Sequence, residues 1–188
     1  MKDIEVRTIQ GEVRATGEGE AKLSGSAVTY GHLSEDLGGF REQFAPGALD
    51  DLLDNPDLRV INQHDRAFVF GRVGAGTARF SVRDGRVLYE ADPPDAQWAR
   101  DAMASIKRND IYQSSFAFRV AEGGDTYERK GDTIIRTVHK VSDFVEAGPQ
   151  TTPAYRTTST VARALEKFGV KHGDADLYRR KALLAGLD

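Results

Sequence analysis

Apolar and polar residues alternate along several short segments of the chain, which is the pattern of β-strands that bury one face. The clearest example spans residues 77–92, where apolar residues occupy every second position of two arms joined by Asp84 and Gly85. An Asp-Gly pair favours the two-residue turn whose twist matches that of the flanking strands. The pattern therefore predicts a β-hairpin over residues 77–92.

The same alternation predicts further strands over residues 23–30, 58–64, 68–72, 115–120 and 133–145. Side chains at successive strand positions point to opposite faces. In the strand at 58–64, His64 is therefore expected at the end, on the same face as Val60. In the strand at 115–120, Ser115 is expected to face away from Phe116, whereas Ser114 shares the face of that ring.

Apolar residues at helical spacing predict a short helix after Pro46 and a longer one from a cap at Asp95 to about Arg108. The charged stretch of residues 122–132 is expected to be an excursion between strands. Amphipathic helical patterns return after residue 160. We therefore divide the chain into an N-terminal arm or edge strand (1–22), a main domain (23–160) and a helical C-terminal tail (161–188).

Charge and composition exclude several classes of protein. The 188 residues include 26 Lys and Arg against 29 Asp and Glu, so the net charge of −3 argues against a nucleic-acid partner. No apolar run reaches the roughly 18 residues of a membrane span, and the N-terminus lacks the apolar core of a signal peptide. We therefore expect a cytoplasmic protein with no membrane partner. The absence of cysteine excludes disulfides, a thiol nucleophile and thiolate metal sites.

Catalysis without cysteine would have to use a hydroxyl, lysine or carboxylate nucleophile, and a hydroxyl needs a neighbouring base. Of the four histidines, His64 and His139 come at predicted strands, whereas His32 and His172 lie in polar segments. The histidines show no metal-binding spacing, so no metal is expected. The glycines of residues 71–76 are interpreted as turn residues, because no Lys-Ser/Thr and no helix follow them. No cofactor is expected, and a phosphate-ligand enzyme is a remote alternative.

A series of motifs appears in a fixed order between residues 23 and 163. They are FAPGAL (44–49), NQHD (62–65), GR (71–72), YEADPPD (89–95), QWARDAMASIKRNDI (97–111), SSFAFRV (114–120) and VEAGPQTTPAY (145–155). In this order the motifs resemble the tailed-phage prohead maturation protease family, which is related to the herpesvirus capsid-maturation proteases. The resemblance implies a mostly β fold with flanking helices (α+β), built as a small antiparallel β-barrel of the herpesvirus-protease type.

The resemblance also implies a catalytic site. The histidine of the family's N-H-D segment matches His64, the expected general base, and the serine before its F-G-F segment matches Ser115, the expected nucleophile. The family's acidic residue matches Glu146, which would orient the imidazole. In the herpesvirus relatives the third member is a histidine, so His139 remains an alternative, as does Asp143.

This chain departs from the family pattern at two positions next to the expected nucleophile. Ala117 replaces the more usual glycine, and Ser114 stands where methionine is common, so strand alternation is what favours Ser115 over Ser114. Backbone amides near Gly148 or Thr151 are candidate oxyanion donors.

The function implied by the resemblance is a serine endopeptidase that cleaves scaffold or capsid-protein prosegments and also cleaves itself. Its partners would be the major capsid protein, the scaffolding segment and a second copy in a homodimer. It would act inside the assembling procapsid in the host cytoplasm. The alternative is a catalytically silent scaffold or capsid-assembly protein with the same fold, for which the substitutions at Ala117 and Ser114 are the support.

Overall fold

The computed structural model describes residues 4–9, 13–17, 21–37 and 39–151, so the predicted helical tail lies outside the described residues. Its strands are β1 (Glu5–Ile9), β2 (Arg14–Thr16), β3 (Lys22–Thr29), β4 (Phe40–Phe44), β5 (Arg59–Ile61), β6 (Val69–Arg72), β7 (Ala78–Arg83), β8 (Arg86–Ala91), β9 (Gln113–Val120), β10 (Asp125–Lys130), β11 (Thr133–Val138) and β12 (Val141–Gln150). A helix, α1 (Gln97–Lys107), joins β8 to β9, and short 3-10 helices span Asp50–Leu52 and Val73–Ala75.

The strands form three separate sheets. Their orders are β1-β9-β12-β5-β6, β10-β11-β4 and β2-β3-β8-β7. Most neighbours are antiparallel, but β12 pairs with β5 and β11 pairs with β4 in parallel. The mostly β class is therefore confirmed. The closed barrel of the herpesvirus type is not confirmed, because within the described residues each sheet ends in edge strands instead of closing on itself.

Aromatic side chains from β4 and β9 fill the space between the sheets. The ring of Phe44 packs edge-on against Phe116 and Phe118, with centroids 5.6 and 5.1 Å apart. All three side chains are buried, and burying an aromatic ring of this size stabilises the fold by roughly 1.5–3 kcal/mol. This packing fixes which face of β9 points into the core, and therefore which face carries Ser115.

The predicted hairpin and the long helix are confirmed. Asp84 and Gly85 both have positive φ, at 52° and 71°, as the expected two-residue turn between β7 and β8 requires. Four apolar residues of α1 are buried on one side, namely Ala99, Ala102, Met103 and Ile106. The predicted cap is wrong: Ala96 precedes the helix, and Asp95 pairs with Arg100. Within the described residues no helix combines the length and apolar character needed to cross a bilayer.

Two segments differ from their predicted structures. The helix expected after Pro46 is reduced to turns and the 3-10 helix at Asp50–Leu52, where Ala48 and Leu49 are buried. The supposed excursion at 122–132 contains β10, which pairs along its length with β11. This strand lies at the edge of its sheet and is mostly exposed, so its charged residues hide the alternation that a half-buried strand would display.

A buried cluster of charged side chains joins β1 to the three-stranded sheet. Arg136 of β11 donates to Glu5 (2.6 Å) and Glu42 (2.7 Å), and it also pairs with Asp125. Arg7 donates to the same two glutamates, at 2.8 Å each. Burial alone would lower the pKa of Arg136, but the hydrogen bond to Glu5 and the charges of Glu42 and Glu5 outweigh it and raise that pKa. The cluster therefore anchors β1 beside β9.

Candidate active site

The structure brings Ser115, His64 and Glu146 together at the five-stranded sheet. His64 Nε2 lies 2.7 Å from Ser115 Oγ, and His64 Nδ1 lies 2.7 Å from Glu146 Oε1. The side chain of His64 is 23% exposed, whereas Ser115 and Glu146 are buried. A hydroxyl, an imidazole and a carboxylate in this order form the hydrogen-bonded series that activates a serine nucleophile.

Strand alternation on β9 separates the two neighbouring serines. Ser114 is fully buried on the core face, where its hydroxyl donates to Tyr89 Oη at 3.2 Å. Burial raises the pKa of Tyr89, an effect that the hydrogen bond with Ser114 partly offsets. Ser115 points to the opposite face, toward His64. The hydroxyl in reach of the imidazole is therefore that of Ser115.

His64 sits in a turn after β5. The alternation over residues 58–64 predicts a place at the end of a strand, and this prediction is wrong. β5 ends at Ile61, and Gln63 and His64 both adopt positive φ, at 55° and 57°. Each non-glycine residue in this conformation costs roughly 1–3 kcal/mol and persists where the surroundings hold it. Here Gln63 N donates to Pro149 O at 3.1 Å, which ties the turn to β12.

Glu146 lies on β12, between Ala117 of β9 and Arg59 of β5 in the pairing register. A break in register between Phe144 and Glu146 marks a bulge at this point of β12. Bulges re-aim side chains and recur next to active sites. Glu146 is thereby directed at the imidazole of the neighbouring turn.

The two alternative third members are engaged elsewhere. His139 lies between β11 and β12, and its Nε2 is 2.8 Å from Thr126 Oγ1. Asp143 pairs with Arg119 across β9 and β12. Both therefore have partners other than the imidazole of His64.

Gly148 allows the close approach that places His64 over Ser115. It lies opposite Ser115 in the β9–β12 register, and a Cβ at this position would stand 1.9 Å from Ile61 O, the last residue of β5. A contact that short is impossible without moving backbone. Glycine at 148 is therefore what lets β5 bring the turn that carries His64 close to the Ser115 hydroxyl.

The variant Gly148→Ala is expected to lower the rate of any reaction of Ser115 about 10²-fold, because shifting a reacting group by about 1 Å costs this much. The rate of covalent labelling by a fluorophosphonate measures the effect. Gly124→Ala is the matched control, since its Cβ would stand 2.4 Å from Lys140 O in a part of the fold away from His64. Equal losses in the two variants, with both proteins folded, would contradict this role of Gly148.

Ser115 Oγ has further partners on β1 that the sequence analysis missed. The hydroxyl lies 2.8 Å from Arg7 O, which can only accept, and Thr8 Oγ1 donates to Ser115 Oγ at 3.3 Å. A hydroxyl has a single hydrogen. Ser115 therefore donates to Arg7 O or to His64 Nε2 but not to both, and attack requires that the hydrogen turn from the carbonyl to the imidazole.

One of the candidate oxyanion donors is occupied. Thr151 N donates to Gln63 Oε1 at 3.1 Å, so this amide is used to hold the turn that carries His64. Among the described residues, no cluster of three or more His, Asp or Glu side chains has the arrangement of a metal site.

Comparison with known proteins identifies the family. The model of the caudovirus prohead serine proteases matches residues 3–171. Among solved structures, the capsid assembly protease of bacteriophage T4 is similar with a TM-score of 0.44 and 10% identity, over 78% of this chain and 97% of that chain. Comparison with curated proteins gives no match. Since the family model covers most of the sequence, the chain belongs to the caudovirus prohead serine protease family.

Proposed function

We propose that this protein is an active serine endopeptidase, with Ser115 as nucleophile, His64 as general base and Glu146 as the acid that orients the base. The single observation that carries the proposal is that the His64 ring lies 2.7 Å from both Ser115 Oγ and Glu146 Oε1. The three residues come from separate parts of the chain, so their order in space is not a by-product of sequence proximity.

The reaction proceeds through an acyl-enzyme. Ser115 Oγ attacks the scissile carbonyl while His64 Nε2 takes the hydroxyl proton. Glu146 accepts a hydrogen bond from Nδ1–H and so stabilises the resulting imidazolium without taking its proton. His64 then protonates the leaving amine as the peptide bond breaks. His64 then takes a proton from a water molecule, which attacks the ester. As the ester bond breaks, His64 returns the proton to Ser115 Oγ and the new carboxyl terminus leaves. General-base action of this kind contributes about 10²- to 10⁴-fold.

The substrates we propose are the prosegments of the major capsid protein or of its scaffold, together with segments of the protease itself. The family description supports this proposal, since a prohead is an immature capsid. The site of action we propose is the assembling procapsid in the host cell, and the proposed partners include a second copy of the chain. Confinement with many substrate copies raises the effective concentration, so such an enzyme needs little intrinsic affinity.

A fluorophosphonate probe tests the proposal, because it reacts with activated serines and leaves ordinary hydroxyls unmodified. We expect mass spectrometry to find the label on Ser115 of the purified chain. The Ser115→Ala variant should remain unlabelled. Ser114→Ala is the matched control and should keep the label, since Ser114 bonds Tyr89 in the core.

The alternative, a catalytically silent assembly protein, is favoured by one observation: the Ser115 hydroxyl lies within 2.8 Å of Arg7 O as well as of His64. A hydroxyl held permanently on that carbonyl would not react. Folded protein that carries no label on Ser115, even at high probe concentration, would refute the protease proposal and support this alternative.

A further inference from the structure

Three glutamine side chains lie beside the proposed catalytic residues. Gln63 directly precedes His64, and Gln113 lies two residues before Ser115, on the same side of β9. Gln150 pairs with Gln113 across β9 and β12, next to the pair formed by Ser115 and Gly148. The three glutamines therefore lie on neighbouring segments of the fold, at one end of the proposed catalytic residues.

Each of these glutamines has a buried amide atom without a hydrogen-bond partner. The atoms are Gln63 Nε2, Gln113 Oε1 and Gln150 Oε1. In the described part of the chain, five buried side-chain atoms are unpaired, and these three are among them. Another of the five, Asn62 Oδ1, belongs to the residue before Gln63. Native proteins leave few buried polar atoms unpaired, so their concentration beside a catalytic serine requires an explanation.

A neighbouring group determines which atom of the Gln63 amide is free. Gln63 Oε1 accepts from Thr151 N at 3.1 Å and from Thr151 Oγ1 at 2.9 Å. A backbone N–H can only donate, so the unpaired atom of Gln63 is its NH₂ group. In the orientation that the structure shows, Gln113 Nε2 donates to Tyr112 Oη at 3.5 Å and Gln113 Oε1 is unpaired, although a phenol can pair with either end of an amide.

We infer, on the basis of the proposed protease function, that these atoms form a subsite for a primary carboxamide, the side chain of asparagine or glutamine, on the peptide substrate. A primary amide offers two N–H donors and a carbonyl acceptor. The unpaired atoms of the three glutamines offer the complement, two acceptors and a donor. Tyr112, which is 46% exposed, lies beside Gln113 at the solvent side of this subsite.

Other side chains fit these atoms less well. An aliphatic side chain would leave all three unpaired in a buried place, which is how a polar site rejects an apolar analogue. A carboxylate could pair with Gln63 Nε2 but, with Gln113 and Gln150 in the orientations of the structure, would set its charge against their two carbonyl oxygens. A lysine would pair with the carbonyl oxygens and leave the donor of Gln63 unpaired, with its charge taken out of water.

Cleavage of a peptide library with randomised positions tests the inference on the full chain. We expect asparagine or glutamine to be enriched about 10²-fold over leucine at one position within three residues of the cleaved bond. The variants Gln113→Leu and Gln150→Leu should lose most of this preference. Gln43→Leu is the control that should retain it, because Gln43 bonds Thr137 in another sheet.

A library that reveals no preference, a preference for acidic, basic or aliphatic residues, or a preference that survives both leucine variants would overturn the inference. The fluorophosphonate probe distinguishes this failure from failure of the protease proposal, because the probe carries no peptide. A labelled Ser115 together with no amide preference would contradict the subsite but not the protease proposal.

Unfolding by urea gives a second test that needs no turnover. If Gln113 Oε1 is unpaired in the free protein, Gln113→Leu should raise the urea midpoint, because leucine removes the unpaired oxygen at similar volume and loses only the long 3.5 Å contact with Tyr112. Gln43→Leu breaks a hydrogen bond and should lower the midpoint. A lower midpoint for Gln113→Leu would assign this glutamine a structural role and contradict the subsite.

Discussion

Replacing Glu146 by glutamine is expected to slow the reaction of Ser115 with a fluorophosphonate by about 10⁴-fold, the size of effect known for the equivalent change in a serine protease triad. Glutamine keeps the shape of the side chain but offers an NH₂ group that donates to His64 Nδ1. That bond selects the tautomer with the hydrogen on Nε2, and this nitrogen then cannot accept the proton of Ser115. The rate constant of labelling, measured over time, is the readout.

Two matched variants test whether Glu146, and not Asp143 or His139, is the acid that orients His64. Asp143→Asn and His139→Asn alter the alternative third members, whose contacts are with Arg119 and Thr126. We expect both to label within about threefold of the unaltered protein, since surface changes away from the site have small effects. Slow labelling of either variant beside normal labelling of Glu146→Gln would reassign the acid.

The features that follow from local pattern were predictable. Alternation along β9 separates Ser114 from Ser115 because the aromatic residues of the strand must face the core, whatever the strand pairs with. The turn at Asp84 and Gly85 depends on backbone preferences of two residues. Such features are determined within a few residues, so they can be predicted from the local sequence.

The features that depend on distant contacts were not predictable from pattern. The backbone at His64 leaves the extended conformation because Gln63 N bonds Pro149 O, a contact between residues far apart in sequence. Whether sheets close into a barrel depends likewise on which strands pair, and alternation says nothing about partners. The resemblance to a family supplied the three proposed catalytic residues, but it did not indicate that Arg7 O and Thr8 contact the serine hydroxyl.

The burial of charged residues was equally unpredictable from the sequence, since residues such as Glu5, Arg7 and Arg136 usually lie at the surface. Their burial becomes visible only when β1, β4 and β11 come together. The buried cluster has a direct link to chemistry, because it anchors β1 and the carbonyl of Arg7 on this strand contacts Ser115 Oγ. Stability of the cluster and reactivity of the serine are therefore coupled.

The variant Arg136→Met is expected to lower the free energy of unfolding by about 3–5 kcal/mol, the usual result of removing one partner from a buried ion pair. Methionine fills similar space but leaves Glu5, Glu42 and Asp125 with Arg7 as the remaining cation of the cluster. Urea unfolding followed by circular dichroism measures the change. Labelling of Ser115 should fall as well, because β1 loses its anchor.

Arg119→Met is the control for charge and size, since Arg119 also pairs with a carboxylate, that of Asp143, but in a pair whose side chains are 26% and 38% exposed. Ion pairs in contact with solvent contribute about 0–1 kcal/mol, so this variant should unfold within about 1 kcal/mol of the unaltered protein. Equal stabilities of the two variants would mean that solvent screens the Arg136 cluster as it screens a surface pair. The link from the buried cluster through β1 to Ser115 would then fail, even if the hydrogen bonds of His64 to Ser115 and Glu146 stand.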